Sequence, residues 1–182
     1  MTKYFAFLRA INVGGHTVKM TALKKIFESL GFSRVETYLA SGNVGFETSS
    51  LKARELEKTI ENKLQSTLRF EVATFLRTET ELCEIASLKP FPESAMKTAV
   101  SVNVVFLKAP IGKGATEKVL AMETPTNEFM VNEREVYWLV RTPQHESSFS
   151  NGVLEKTLGF KSTIRGIETI KKMVRLNGDS HA

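Results

Sequence analysis

Two short polar stretches that contain glycine are the part of this sequence best suited to bind a ligand. The first spans residues 9–15 and reads RAINVGG, and the second spans residues 41–43 and reads SGN. Cationic, amide and hydroxyl side chains donate hydrogen bonds, and glycine lets the backbone approach a bound group closely. This combination is typical of a site for an anion or another polar ligand. The candidate ligand-binding residues are Arg9, Asn12, Gly14, Gly15, Lys19, Ser41, Gly42 and Asn43.

The same residues also have a purely structural interpretation. Glycine occurs wherever a tight turn needs a positive φ angle, and asparagine side chains readily hydrogen-bond the backbone around them. At the level of the sequence, a binding pocket and a pair of well-shaped turns are both open alternatives.

The spacing of apolar residues predicts the elements that bring the two stretches together. Residues 1–77 read as strand, helix, strand, strand, helix and strand, an order typical of the ferredoxin-like α/β plait. In a plait, the third strand lies between the first two and runs antiparallel to both, so the end of strand one and the start of strand three share one edge. We therefore expect the two polar stretches to meet there. The predicted elements cover residues 4–10, 20–30, 35–40, 44–48, 51–68 and 71–77.

The rest of the chain repeats this order more loosely. Thr78 and Glu81 form a capping-box pattern that opens a connecting helix, and prolines follow it, so residues 78–98 read as a connection. Residues 99–176 read as a second plait, and residues 177–182 as a disordered tail. The predicted fold class is α+β, with two tandem ferredoxin-like domains built on antiparallel sheets. The first strand is apolar on both sides, which predicts that both of its faces are covered.

The quoted motifs resemble an uncharacterised bacterial family, the domain of unknown function 1697. The resemblance lies in LRAINVGG, in the Lys19-Met20 pair and in YLASGNVGF, and Ala10 stands where the family usually has glycine. It continues in NGVLEKTLGF and STIRGIETIKKM, where Arg165, Thr169 and Lys172 match the family pattern, while Gly166 and Ile167 replace its usual Asn and Trp. The resemblance implies two α/β-plait domains. It implies no activity.

Charge suggests a second basic patch and an anionic partner. The chain of 182 residues has a net charge of +5, and residues 1–77 carry 12 basic and 7 acidic side chains, while the remainder carries 13 of each. Basic residues cluster again between 156 and 176, where Arg165, Thr169 and Lys172 form a candidate secondary patch. Such clusters are typical of phosphate or nucleic-acid surfaces, although a solvated helix end gives the same pattern.

Other kinds of chemistry find little support in the sequence. The histidines lack companion ligands at metal-binding spacing, so we expect no metal and no cofactor. Asn43 and Gly45 fall at the positions where RNA-recognition domains carry stacking aromatics, and neither side chain can stack. The single cysteine, Cys83, rules out an internal disulfide and fits a reducing cytoplasm, where we expect it to be at least half-buried. We expect neither a signal peptide nor a membrane span, because Arg9 interrupts the N-terminal apolar stretch.

These observations favour a cytoplasmic protein that binds an anionic ligand, either a phosphate-bearing small molecule or nucleic acid, through the two polar stretches. A small-molecule enzyme that uses the same pocket is one alternative. A structural or interaction module without a ligand is another. The sequence leaves open whether the protein is an enzyme.

Overall fold

A computed structural model of the chain describes residues 1–12, 14–15, 17–38, 42–50 and 52–179. The chain divides into two compact units between Glu84 and Ile85. Each unit contains one four-stranded sheet in which neighbouring strands are antiparallel. The α+β class predicted from the sequence is therefore confirmed.

The first unit orders its sheet β2-β3-β1-β4. Its elements are β1 (Thr2–Leu8), α1 (Met20–Glu28), β2 (Ser33–Tyr38), β3 (Asn43–Thr48), α2 (Ala53–Leu68) and β4 (Thr74–Thr78). The helix α3 (Glu79–Ser87) follows, and the division between the units falls inside it. The predicted capping box opens this helix, since the Thr78 N–H donates to Glu81 Oε2 over 2.8 Å.

The second unit orders its sheet β6-β7-β5-β8, the equivalent arrangement. Its elements are α4 (Glu93–Met96), β5 (Ser101–Phe106), α5 (Lys113–Leu120), β6 (Asn127–Asn132), β7 (Glu135–Val140), a 3-10 turn (Gln144–Glu146), α6 (Asn151–Leu158), β8 (Thr163–Gly166) and α7 (Ile167–Asp179). The last helix passes the predicted boundary at residue 176, and Asn177 is buried, so the prediction of a disordered tail is wrong for residues 177–179. Residues 180–182 lie outside the described residues.

The strand β1 is buried on both sides, as its apolar sequence predicts. Tyr4, Ala6 and Leu8 belong to a core that includes residues of α1 and α2, and burying such side chains is the main source of stability in a small domain. Phe5 and Phe7 point to the opposite face of the sheet and are also fully buried. In the second unit, Trp138 of β7 packs against Phe149 with ring centroids 4.7 Å apart, and its indole N–H donates to Asn127 Oδ1.

Carboxylates of α2 fasten this helix to the edge strand β4. The Thr74 N–H donates to Glu61 Oε1 over 2.8 Å, and the Leu76 N–H donates to Glu57 Oε1 over 3.0 Å. Because these two glutamates are four residues apart, they lie on one side of the helix and reach alternate residues of the strand. Helix and edge strand are therefore held together by charge-assisted hydrogen bonds as well as by the core.

The second unit repeats this fastening between α6 and β8. The Ser162 N–H donates to Glu155 Oε1 over 2.7 Å, and Asn151, four residues earlier, donates from Nδ2 to the Ser162 carbonyl over 3.0 Å. Ser162 also corresponds in position to Thr74, because each lies three residues before the buried arginine of its edge strand, Arg165 and Arg77. The two units thus share a detail of side-chain bonding as well as their strand order.

A serine side chain caps α6, whereas α2 has no side-chain cap. Ser150 caps α6 by accepting a hydrogen bond from the Val153 N–H. Ser50 does not cap α2, which begins at Ala53 after Lys52 and has no side-chain cap. The Ser50 N–H instead donates to Thr48 Oγ1, which keeps this residue in the turn before the helix.

Cys83 is exposed, contrary to the expectation of a half-buried thiol.

Candidate functional site

The ends of the two polar stretches meet at one edge of the first sheet. Phe7 of β1 pairs with Asn43 of β3, and the Leu8 N–H donates to the Gly42 carbonyl over 2.9 Å. Ile11, from the middle of the first stretch, is buried against Gly42. Sequence reasoning did not single out Ile11, although a large apolar residue in a polar stretch is a signal that it anchors the loop.

In the first stretch, Ala10, Asn12, Gly14 and Gly15 are exposed, and Asn12 braces the backbone through its side chain. Asn12 Oδ1 accepts a hydrogen bond from the Val18 N–H over 2.7 Å, which closes the loop ahead of α1. Gly14 and Gly15 are exposed and have φ angles of +67° and +88°, which glycine adopts without strain. Asn12 therefore has the backbone partner that the structural interpretation requires. Val13 lies outside the described residues.

The second stretch, residues 41–43, is described only from Gly42 onward. Ser41, a candidate ligand-binding residue, lies outside the described residues. Gly42 is buried at a φ of +71°. Asn43 is fully buried at the start of β3, where its Nδ2 donates to the Tyr38 carbonyl over 3.1 Å. Asn43 therefore stabilises the β2–β3 hairpin. Its side chain does not face solvent, whereas we expected a ligand-binding residue to do so.

The cationic candidates lie on either side of the first loop. Arg9 is half-buried just after β1, and its backbone N–H donates to the Ala73 carbonyl. Lys19 is exposed and occupies the N-cap position of α1, which has no side-chain cap and no acidic residue in its first turn. The positive end of this helix dipole therefore meets a lysine instead of a carboxylate.

The candidate secondary patch is not assembled at the surface. Arg165 is buried, and its guanidinium donates to Thr163 Oγ1 and to the Ile164 carbonyl of its own strand. Burial lowers the pKa of Arg165 to about 10, so the side chain stays charged at neutral pH. Thr169 is half-buried and Lys172 is exposed, both on α7. Arg165 is buried, and a secondary basic patch of Arg165, Thr169 and Lys172 stays a prediction.

The burial of Arg165 follows from its place in the sheet. Arg165 pairs with Val104 on the edge strand β8, and Arg77 pairs with Phe5 on the edge strand β4. Both side chains are buried, and each donates to the carbonyl of the residue before it over 2.7 Å. A buried arginine on the edge strand therefore occurs in each unit, and Arg165 is the one in the second unit. A count of charges along the sequence does not reveal this role.

Among the described residues of the first unit, the sheet surface offers no platform of exposed aromatic rings on which bases could stack. Phe5 and Phe7 are fully buried, and Gly45 leaves room for the Tyr38 ring, which lies across it. The Tyr38 hydroxyl donates to Glu36 Oε2 over 2.6 Å, and burial together with this carboxylate raises the tyrosine pKa. Phe46 packs inward, as predicted. RNA-recognition domains need exposed aromatics on this surface, so the structure agrees with the sequence in disfavouring that mode.

Ala10 occupies a backbone conformation that suits glycine better. Its φ is +55°, and it is exposed. A left-handed conformation costs an L-residue about 1–2 kcal/mol, and glycine relieves this strain. Glycine also makes the unfolded chain more flexible, which offsets part of the relief. Ala10→Gly should therefore stabilise the protein by about 0.5–1 kcal/mol. Urea unfolding measures this effect. Ala22→Gly, at an exposed position inside α1, is the control and should destabilise by about 1 kcal/mol. A loss of stability in Ala10→Gly would contradict the prediction.

Two further expectations can be examined within the described parts of the chain. No group of at least three His, Cys, Asp or Glu side chains lies close enough there to hold a metal ion. His16 falls outside those parts, and His145 is exposed beside Glu146. Among the helices that the structure describes, none combines the length and the apolar character needed to cross a bilayer.

Comparison with known proteins agrees with this fold and names a family. A solved structure of the conserved bacterial protein SP0830 from Streptococcus pneumoniae is similar, with a TM-score of 0.71 at 22% sequence identity over 97% of this chain and 98% of that chain. At this identity the likeness concerns the fold alone. No functionally curated protein matches the chain. The model of the family described as "Protein of unknown function (DUF1697)" matches residues 1–137, which include both polar stretches but not Arg165, and the chain therefore belongs to this family.

Proposed function

We propose that this protein binds a small phosphate-bearing anion at the edge where residues 9–15 meet residues 41–43. The observation that carries the proposal is the charge around the first loop. Residues 1–27 contain five lysines and arginines and no acidic residue. Lys19 stands exposed at the start of α1, whose first turn contains no carboxylate. An excess of positive charge beside a helix N-terminus favours an anion.

A small anion is favoured over nucleic acid as the ligand. Proteins that bind single-stranded nucleic acid commonly stack its bases on exposed aromatic side chains, whereas Phe5 and Phe7 are fully buried. The cations near the loop are also few, and Lys24 forms an ion pair with Glu28. A compact phosphate group needs only a small number of donors, which fits this edge better than an extended backbone does.

Removing the Lys19 side chain tests the proposal. Lys19→Ala should weaken the binding of inorganic phosphate about tenfold, because a hydrogen bond to a charged group is worth about 1.5 kcal/mol or more. Isothermal titration calorimetry against phosphate at low salt measures the affinity. Lys25→Ala is the matched control, since it removes the same charge from an exposed position about 9 Å further along α1. Equal losses in the two variants would show non-specific attraction and contradict the site.

A structural role of the loops is the second candidate, and a specific observation favours it. Asn12 and Asn43 both use their side chains to bond nearby backbone, to the Val18 N–H and the Tyr38 carbonyl. Wild-type protein that binds neither phosphate, nor nucleotides, nor short oligonucleotides would support this role. Oligonucleotide binding with a steep salt dependence would instead favour a nucleic-acid partner.

We also propose that the two units are ferredoxin-like plaits and that the protein is a cytoplasmic protein of bacterial origin. The strand orders β2-β3-β1-β4 and β6-β7-β5-β8, each with a helix after its first and third strands, support two ferredoxin-like plaits, with residues 1–77 and 99–176 as the domains and 78–98 as the connection. The single cysteine supports a reducing cytoplasm, and the similar Streptococcus protein supports a bacterial origin.

A further inference from the structure

We infer that Ile11 and Gly42 are positioning residues that couple the two loops, so that a change in the second loop is transmitted to the first. The inference rests on the proposed function in one respect, since these loops form the proposed anion site. The coupling itself is a property of the protein without ligand and can be measured without one.

The contacts between the loops are close enough to transmit a displacement. A Cβ atom added at Gly42 would lie 2.6 Å from Ile11 Cγ2 and 3.3 Å from Leu8 Cβ. Neither atom is the free end of a flexible side chain, because Cγ2 is attached at the branch point of a β-branched residue that has few rotamers. The Gly42 carbonyl also accepts the Leu8 N–H. A side chain at position 42 therefore forces Ile11 to shift, with Leu8 also in close contact.

Movement at Ile11 would reach the start of α1 through its neighbour. Asn12 follows Ile11 directly and holds the Val18 N–H, and Val18 precedes Lys19. Ile11 and Val18 are both buried in the core of the first unit, which anchors the chain at these two positions. Gly42 thus sets the position of the Asn12 brace, and through it the position of the lysine in the proposed site.

Two glycine substitutions distinguish the effect of a steric contact with Ile11 from the effect of backbone strain at a positive φ. Gly42→Ala and Gly14→Ala both place a side chain at a positive φ, of +71° and +67°, but an added Cβ at Gly14 meets nothing within 4 Å. Amide hydrogen exchange at Val18 reports on the Asn12 brace. We expect exchange at Val18 to be about tenfold faster in Gly42→Ala than in Gly14→Ala, which corresponds to about 1.4 kcal/mol. Equal exchange in the two variants would overturn the coupling.

A double substitution shows whether Ile11 carries the effect. Ile11→Ala removes Cγ2, so adding Gly42→Ala in that background should accelerate Val18 exchange less than about threefold. An unchanged tenfold effect would assign the coupling elsewhere and overturn the role of Ile11. Titration of inorganic phosphate onto wild type and Gly42→Ala is the separate readout of the site. If Val18 responds as expected but wild type binds no phosphate, the coupling stands and the anion site fails.

Discussion

Replacing Phe46 with alanine is expected to destabilise the first unit by about 3–5 kcal/mol. Phe46 is fully buried at the centre of an aromatic cluster. Its ring stacks on Phe32 with centroids 4.3 Å apart and lies 5.6 Å from Phe27 and 5.9 Å from Tyr4. The substitution removes apolar burial and also leaves a cavity that these rings fill only in part.

Urea unfolding followed by far-UV circular dichroism measures this loss, and amide exchange of β1 and β3 assigns it to the first unit. Trp138 is the only tryptophan and lies in the second unit, so its fluorescence gives a separate signal. Phe160→Ala is the control, because that ring is 42% exposed and its removal should cost less than about 1 kcal/mol. A cost below about 1 kcal/mol in Phe46→Ala would contradict the central place of this ring in the core.

Glu57→Ala is expected to cost about 2–3 kcal/mol, because it leaves the buried Leu76 N–H without its charged acceptor. Glu57 is itself buried, with 3% of its surface exposed, so water cannot easily replace the carboxylate. The loss should appear in the free energy of unfolding and in faster exchange of the Leu76 amide.

Glu57→Gln separates the hydrogen bond from the packing of the side chain. Glutamine keeps an acceptor oxygen and nearly the same volume, so it should retain more than half of the stability that alanine loses. If glutamine is as damaging as alanine, the negative charge matters more than the hydrogen bond to Leu76. If alanine costs less than about 0.5 kcal/mol, the fastening of α2 to β4 contributes little.

Local patterns along the sequence predicted the elements well. The box of Thr78 and Glu81 correctly opened α3, because a cap depends on residues within one turn. The convergence of residues 9–15 and 41–43 could also be anticipated, since strand order alone decides which loop ends share an edge. Helix and strand order were enough to reach the α+β class.

Side-chain roles depended on partners that are distant in sequence. Asn43 reads as a turn residue, but its amide bonds the Tyr38 carbonyl across the hairpin and is buried. Arg165 reads as part of a surface patch, but its place opposite Val104 on an edge strand buries it. Nothing in the local sequence indicates that Glu57 and Glu61 of α2 accept hydrogen bonds from the N–H groups of β4.

Glu57 and Glu61 of α2, together with Glu81 of α3, also occupy the outer edge of this sheet. An edge strand normally displays free N–H groups, and a foreign strand can add to them and begin aggregation. In β4 the N–H groups of Thr74, Leu76 and Thr78 are already engaged by Glu61, Glu57 and Glu81. The carboxylates therefore make this edge a poor template for intermolecular β-pairing, which favours solubility at high concentration and during refolding.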